Sequence, residues 1–429
     1  MRVSVLGTGY LGATHAACLA EAGHDVVGID RDPHRIRTLA AGRAPFLEDG
    51  LEESLRAGLA SGRLCFSTDL RDAAGADVHN VCVGTPGQPP DGETDGIDLT
   101  ALEDVMVSLA RLLDGPCLVV GRSTVPVGTA RRMRDLLRSK APAGDDVLVA
   151  WNPEFLREGH AMADSRRPHR LVVGTVDGEG LPALREVYAD WLRRDVPFLA
   201  TDLETAELAK LAANTMLAVR VSTVNVLGEI CEAAHADVAS LTEIVGRDPR
   251  IGREYLQPGP GYGGSCLPKD LRGLLADARD LGLDVAADFL RQADRVNQWQ
   301  RERTIRLAEE LLGGARGHRV AVLGTAFKAG SDDLRDSPAV DIAARLEEHG
   351  AQVVGYDPAA APPDHLAVAR TAHEACQDAD LVLVLTDWQE FAELDPHEVG
   401  RLVRRRQVVD ARRCLDHARW EAAGWTVCA

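Results

Sequence analysis

Arg2-Val-Ser-Val-Leu-Gly7-Thr-Gly9-Tyr-Leu-Gly12, followed by Glu21-Ala-Gly-His-Asp-Val-Val-Gly-Ile-Asp30, decides the fold. An apolar run ends in a glycine turn, the turn opens a helical stretch, and a second apolar run ends in an acid. The pattern is strand, turn, helix, strand, with Gly-x-Gly-x-x-Gly at the first turn. Gly7, Gly9 and Gly12 let backbone approach a pyrophosphate whose charge sits at the helix N-terminus. Asp30 can accept hydrogen bonds from a ribose diol and would repel a 2′-phosphate, which favours NAD over NADP. Arg31 and Arg35 act the other way, since either can meet a 2′-phosphate. A glycine turn kept only for packing is the plain alternative, and the full strand-turn-helix-acid context speaks against it.

A second segment repeats the first. Arg319-Val-Ala-Val-Leu-Gly324-Thr-Ala-Phe is followed by Glu348-His-Gly-Ala-Gln-Val-Val-Gly-Tyr-Asp357. Further on, Ala76-Asp77 leads into Val78-His-Asn-Val-Cys, and Ala379-Asp380 leads into Leu381-Val-Leu-Val-Leu, each read as the third strand of its unit. Local reuse of this pattern is common in α/β proteins, but here three strands match in order. The sequence therefore predicts an α/β protein: two Rossmann-like domains with parallel sheets, joined by a long central helix and helical region. Between them, Thr201-Asp-Leu-Glu204 reads as a capping box, opening a helix to about Ala234 that links the domains and offers a subunit interface. A second helical stretch runs from Leu267 to about Leu312 with a break near Gly282. The expected division is residues 1–195 for NAD, 196–305 for a helical dimerisation domain with a glycine-rich cysteine loop, and 306–429 for the second Rossmann-like domain. The second glycine turn has lost its later glycines, and Lys328 to Ser337 separate it from its helix, so a dinucleotide is not expected there. Lys328 and Arg335 can contact phosphates or serve as surface charges.

Bulk properties narrow the function. The chain has 429 residues, 48 Lys and Arg against 66 Asp and Glu, and a formal charge of −18. Such an acidic chain repels nucleic-acid backbones, and Arg404-Arg405-Arg406 reads as a solvated face. No stretch approaches the roughly 20 apolar residues of a membrane span, and Met1 to Gly7 lacks the cleavage site of a secretory signal. The nine cysteines are odd in number, with no Cys-x-x-Cys pair. That argues against a disulfide framework or a metal site and for the reducing cytoplasm.

One cysteine stands apart. Gln257-Pro-Gly-Pro-Gly-Tyr-Gly-Gly-Ser-Cys266-Leu-Pro-Lys269-Asp270 holds four glycines between positions 259 and 264, a loop able to wrap a ligand closely. Pro268 suits the first turn of a helix, which places Cys266 at a helix N-terminus beside Lys269, where thiolate is favoured over thiol. A thiolate near a nicotinamide can attack an aldehyde, and the thiohemiacetal can give up hydride to become a thioester that water releases as an acid. The competing reading is a structural cysteine in a tight turn.

Three further groups suit that chemistry. Lys210 and Asn214 lie four apart on one helix face, fit for proton handling and oxyanion stabilisation or else a solvated lysine beside a helix asparagine. Asn152-Pro-Glu154-Phe-Leu-Arg-Glu158 follows the expected strand Val147–Trp151, and strand C-terminal ends face the crevice in such sheets. Either glutamate can activate water, or favour a helix start through its dipole. Ser123-Thr124 likewise follows an apolar strand and can place a hydroxyl there.

Together these motifs resemble the UDP-glucose 6-dehydrogenase / GDP-mannose dehydrogenase family across nearly the whole chain. They include Val83-Gly-Thr-Pro86, Ser123-Thr124-Val125, Asn152 to Gly159, Lys210 to Asn214, Arg250-Ile-Gly252, the cysteine loop, Phe327-Lys328 and Asp410-Ala-Arg412. The resemblance implies a two-step oxidation of a primary alcohol to a carboxylate, with two NAD consumed and Cys266 carrying the intermediate. It implies that Lys210, Asn214 and Thr124 surround the reacting oxygen, Asp270 supports the thiol and Glu154 serves thioester hydrolysis. It places Gly7, Gly9, Tyr10, Leu11, Gly12, Asp30, Arg35, Thr85, Thr124, Glu158 and Arg335 at NAD. It places Glu154, Phe155, Leu156, Lys210, Asn214, Gln257, Tyr262, Gly263, Phe327, Lys328 and Arg412 at the nucleotide-sugar, with Arg250 reaching it from a neighbouring subunit of at least a homodimer. UDP-glucose is the favoured substrate, because Lys210-Leu-Ala-Ala-Asn214 and Asp248-Pro-Arg-Ile-Gly252 look like UDP-glucose enzymes. Val83 to Pro86 and Phe327 to Arg335 also resemble GDP-mannose enzymes, and Asp410-Ala-Arg departs from the usual Asp-Gly-Arg near the base, which keeps dTDP-glucose and GDP-mannose as alternatives.

Two rival readings remain. A hydroxyacid dehydrogenase would share the glycine turn and the lysine–asparagine pair but transfer one hydride and need no cysteine. A non-catalytic dinucleotide-binding protein would bind NAD without turnover and leave Cys266, Lys210 and Asn214 unexplained.

Overall fold

The computed structural model describes residues 1–87, 96–363 and 365–429. They divide into two compact units, Met1–Ala213 and Asn214–Ala429. The first holds one sheet of eight strands: β1 (Arg2–Leu6), β2 (Asp25–Ile29), β3 (Leu64–Ser67), β4 (Val78–Val81), β5 (Cys117–Gly121), β6 (Val147–Trp151), β7 (Leu171–Gly174) and β8 (Phe198–Thr201). Their order is β3-β2-β1-β4-β5-β6-β7-β8. The first six are parallel, in the doubly wound order that opens a crevice beyond the C-terminal ends of β1 and β4, where the strand order reverses. The expectation of parallel sheets needs one correction, because β7 runs antiparallel to β6 and β8 follows β7. Continuous Val, Leu and Ile runs make these strands, and apolar clusters cover both faces, as buried parallel sheets require.

The second unit repeats the plan. Its strands are β9 (Arg319–Leu323), β10 (Gln352–Tyr356), β11 (Ala367–Val368), β12 (Leu381–Val384), β13 (Gln407–Asp410) and β14 (Thr426–Cys428). They are all parallel in the order β11-β10-β9-β12-β13-β14. The repeat extends to single bonds. Asp30 Oδ2 accepts from Thr8 N at 2.8 Å and Asp357 Oδ2 from Thr325 N at 2.8 Å. Asp77 Oδ2 accepts from Arg2 N at 2.8 Å and Asp380 Oδ2 from Arg319 N at 2.9 Å. The runs at Val78 and Leu381 are the fourth strands of their sheets; the short third strands, β3 and β11, carry too little pattern to be read from sequence.

The helix opening at residue 203 runs Leu203–Ala233, and the division between the units falls within it. Its cap is Asp202, whose Oδ1 accepts from Thr205 N at 2.7 Å. The expected Thr201–Glu204 box does not form, because Thr201 stays extended in β8 and Glu204 pairs with Arg131 at 2.7 Å. The later helical stretch is two helices, Leu267–Asp280 and Asp284–Leu312, parted at Gly282. No helix of the described residues is long and apolar enough to cross a membrane.

Candidate active site

In the first unit the glycine turn separates packing from ligand approach. A side-chain carbon on Gly12 would lie 1.8 Å from Gly7 O, and one on Gly7 would lie 2.9 Å from Val83 N, so the fold itself demands both. Gly9 differs: an added carbon there meets nothing within 4 Å, and its φ of −68° suits any residue. Its bareness leaves open space directly before helix Tyr10–Glu21, which has no side-chain cap and no acid in its first turn. Unspent helix N–H groups beside such space fit a pyrophosphate.

Asp30 is buried and pins this turn, while its Oδ1 accepts from Asp32 N at 3.0 Å and Arg35 Nη1 lies 3.0 Å from Oδ2. Tyr10 stacks on Phe46 at 4.6 Å, donates its hydroxyl to Glu48 and accepts from Gly159 N at 2.5 Å. That bond ties the segment carrying Glu158 to the glycine turn. Leu11 packs on the core beneath. Thr85 Oγ1 donates to Thr124 O at 2.7 Å, so these two hold one another.

Lys210 is 2% exposed, and its Nζ lies 2.8 Å from Glu154 Oε1 and 5.9 Å from the Phe155 ring centre. Glu154 Oε2 accepts from Leu156 N at 2.5 Å. Burial pushes the Glu154 carboxyl up, but the charge and hydrogen bond of Lys210, the Leu156 N–H and the Arg122 charge outweigh it and hold the group below the usual carboxylate range. The structure thus gathers Glu154, Phe155, Leu156 and Lys210 around one buried ion pair.

In the second unit, Cys266 caps helix Leu267–Asp280 at its N-terminus, half-buried, with Ser265 Oγ 3.5 Å from its sulfur. Cys18, Cys82 and Cys376 are buried, and burial pushes each thiol up to about 12. Asp270 is fully buried and receives Asn214 Nδ2 at 2.6 Å and Lys269 Nζ at 2.6 Å. Lys269, three residues past the sulfur, thus pairs with Asp270.

The glycines of the cysteine loop also need a correction, since packing on protein explains most of them. Added carbons at Gly261, Gly263 and Gly264 would strike Asn297 Oδ1 at 2.7 Å, Asp336 O at 2.3 Å and the Phe327 ring at 2.9 Å. Tyr262 is 6% exposed and packs on Ala218, Leu271 and Ala293, so its ring belongs to the core rather than to a ligand surface. Phe327, with Lys328 Nζ 5.5 Å from its ring centre, is held by Arg412, whose Nη2 donates to Phe327 O at 3.0 Å and Nε to Leu385 O at 2.9 Å. Arg335 pairs with Asp333 at 2.7 Å, and Gln257 is exposed. Arg250 is exposed too and pairs with Asp248 at 2.5 Å. In the second turn the N–H groups of Thr325 and Ala326 go to Asp357, and Ser337 caps the helix that follows, which leaves little to grip a pyrophosphate.

Sequence models of one family match the chain in three consecutive pieces: the NAD binding domain over residues 1–192, the central domain over 204–299 and the UDP binding domain over 321–417. The chain belongs to the UDP-glucose/GDP-mannose dehydrogenase family. It is thus an NAD-dependent oxidoreductase. Among the dehydrogenases of this family, the UDP-glucose 6-dehydrogenase of Rhizobium meliloti strain 1021 is 38% identical over 421 residues, 96% of this chain and 95% of the relative. The structure of a UDP-glucose dehydrogenase from Pyrobaculum islandicum superposes with a TM-score of 0.90 at 36% identity, over 99% of this chain and 98% of the other. That of the UDP-D-ManNAc dehydrogenase of Pyrococcus horikoshii gives 0.89 at 28%, over 100% and 98%.

Family membership brings NAD to the domain formed by residues 1–192, and the open space at Gly9 leaves room there for a pyrophosphate. NAD, when bound, supplies the acceptor for hydride. The sequence reading passed over two buried groups beside the site. Arg122, 7% exposed at the end of β5, donates to Asn152 Oδ1 and to Tyr188 Oη at 2.7 Å. Glu207, 1% exposed, lies one turn before Lys210. Their signal was an unusual charge within an apolar stretch, but their partners lie far off in sequence.

Proposed function

We propose that this dehydrogenase oxidises C6 of UDP-glucose from the alcohol to the carboxylate. One sugar alcohol, one water and two NAD⁺ give one carboxylate, two NADH and three protons. The first hydride leaves C6 as its hydroxyl loses a proton, giving the aldehyde. The Cys266 sulfur then bonds to that carbon as a thiohemiacetal; loss of the second hydride makes a thioester, and water cleaves the C–S bond. Lys210, Asn214 and Thr124 hold the reacting oxygen or the water, Asp270 orients Asn214, and Glu154 serves hydrolysis. The observation that carries the reading is the thiol itself: half-buried at the start of a helix, one turn before the Asp270 that holds Asn214. The UDP-glucose 6-dehydrogenases at 34–39% identity over nearly the full chain support uridine over guanine or thymine as the base.

In this reading residues 1–195 hold NAD, 306–429 the nucleotide and 196–305 the cysteine loop and a dimer contact. Met216, Ile230, Ile244, Val285 and Phe289, on three helices of this region, are 56–86% exposed, and large apolar side chains left open to water suit a subunit contact. A homodimer built there is expected, and Phe289→Asp should shift it toward monomer in sedimentation. Nine cysteines with no Cys-x-x-Cys pair and a thiolate mechanism suit the reducing cytoplasm.

The test is a panel of UDP-glucose, dTDP-glucose and GDP-mannose, with NADH counted per sugar. Two NADH per UDP-glucose are expected, with turnover of the others at least tenfold lower. One NADH per molecule would instead indicate a single-step dehydrogenase, and none with NAD still bound a non-catalytic binder.

A further inference from the structure

Helix Leu203–Ala233 carries the buried acid Glu207 three residues before Lys210, on the same face. Its Oε2 accepts from Gly128 N at 2.7 Å and its Oε1 from Ala130 N at 2.5 Å. These N–H groups open helix Thr129–Lys140, which has no cap from its own preceding residue. A carboxylate there is held by charge-assisted bonds and by the helix dipole. The turn it grips begins at Thr124. Val125 is buried, and Pro126 O accepts from Thr129 Oγ1 at 2.7 Å, so little slack remains between Thr124 and the capped helix. The near end is held by Thr85 Oγ1 on Thr124 O at 2.7 Å and by Ser123 Oγ on Val83 O at 2.6 Å. One turn on from Glu207, Lys210 grips Glu154 at 2.8 Å.

We propose that Glu207 is a positioning residue that locks the Thr124 turn to the helix turn carrying Lys210, and so sets the spacing of hydroxyl, ammonium and Glu154 carboxylate. All four groups lie in the first unit. The inference rests on reading Thr124, Lys210 and Glu154 as parts of the reacting set.

Glu207→Gln in the full-length enzyme keeps the shape, removes the charge and turns an amide NH₂ toward a backbone N–H. The turnover number should fall about tenfold to thirtyfold, because misplacing a reacting group by about 1 Å costs on the order of a hundredfold. KM for UDP-glucose and Kd for NAD should stay within about twofold. The deciding measurement is a double-mutant cycle with Thr124→Ala. If Glu207 acts through Thr124, Glu207→Gln should cost less than about twofold in the Thr124→Ala background. Full additivity, or a lower Tm with parental turnover, overturns the proposal in favour of a purely stabilising cap. Glu207→Asp keeps the charge on a shorter stem; it should lose about threefold and carries the same cycle if the glutamine variant does not fold. Two NADH per sugar from the parent enzyme establish the overall reaction independently. Parental turnover in Thr124→Ala removes Thr124 from the reacting set, and the inference with it.

Discussion

Cys266→Ser is expected to lower acid formation from UDP-glucose by roughly three orders of magnitude or more while leaving NAD affinity unchanged, since loss of a covalent nucleophile removes the whole path through it. A serine hydroxyl is almost wholly protonated at neutral pH, whereas a thiol at a helix N-terminus reaches its nucleophilic anion far more readily. Gem-diol formation by free water is then the remaining route to the second hydride. The variant should also resist alkylation at this position, and the parent should lose activity when one thiol is alkylated, with protection by UDP-glucose. Mass spectrometry of the quenched parent should find the sugar on the peptide containing Cys266. Wild-type acid production by the serine variant would refute the covalent assignment outright.

Much of this architecture was legible because its signals are local. The turn at Gly7 to Gly12 and the acid at Asp30 fall within one strand-helix-strand unit, and the second unit copies it down to the bond between Thr325 N and Asp357. What failed to show depended on distant partners. Thr201 and Asp202 are both good helix caps; the pairing of Thr201 with Gly174 in the neighbouring strand decided between them. The loop glycines suggest ligand approach until Asn297, Asp336 and Phe327 are found pressed against them. The resemblance puts Tyr262 at the nucleotide-sugar, yet its ring turns into a small apolar cluster. Glu207 bonds N–H groups 79 and 77 residues away, which no spacing rule anticipates.

Lys210→Ala tests the other half of the site, and its effect should depend on pH in a stated sense. Breaking a buried ion pair from one side leaves the other charge uncompensated and costs about 3–5 kcal/mol, so the variant should be strongly destabilised at neutral pH as well as inactive. In the parent, the carboxyl of Glu154 sits below its ordinary value of about 4.3. A lowered folded-state pKa contributes stability that is present above the unfolded value and is lost as pH falls through the folded one. Without Lys210, burial is opposed by the Leu156 N–H and the Arg122 charge alone, and the pKa should rise above the unfolded value. The sign then inverts: the variant is favoured where Glu154 is protonated and loses stability as pH rises through its new pKa. Denaturant unfolding of Lys210→Ala should therefore show a gap to the parent that is small near pH 4 and full near pH 7. Adding Glu154→Gln should flatten the variant's curve and recover part of the loss, because an amide can be buried without a counter-charge. Parallel pH curves for parent and Lys210→Ala would mean that the ammonium and the carboxylate do not depend on one another, and Glu154 would then lose its place as an ionised partner in hydrolysis.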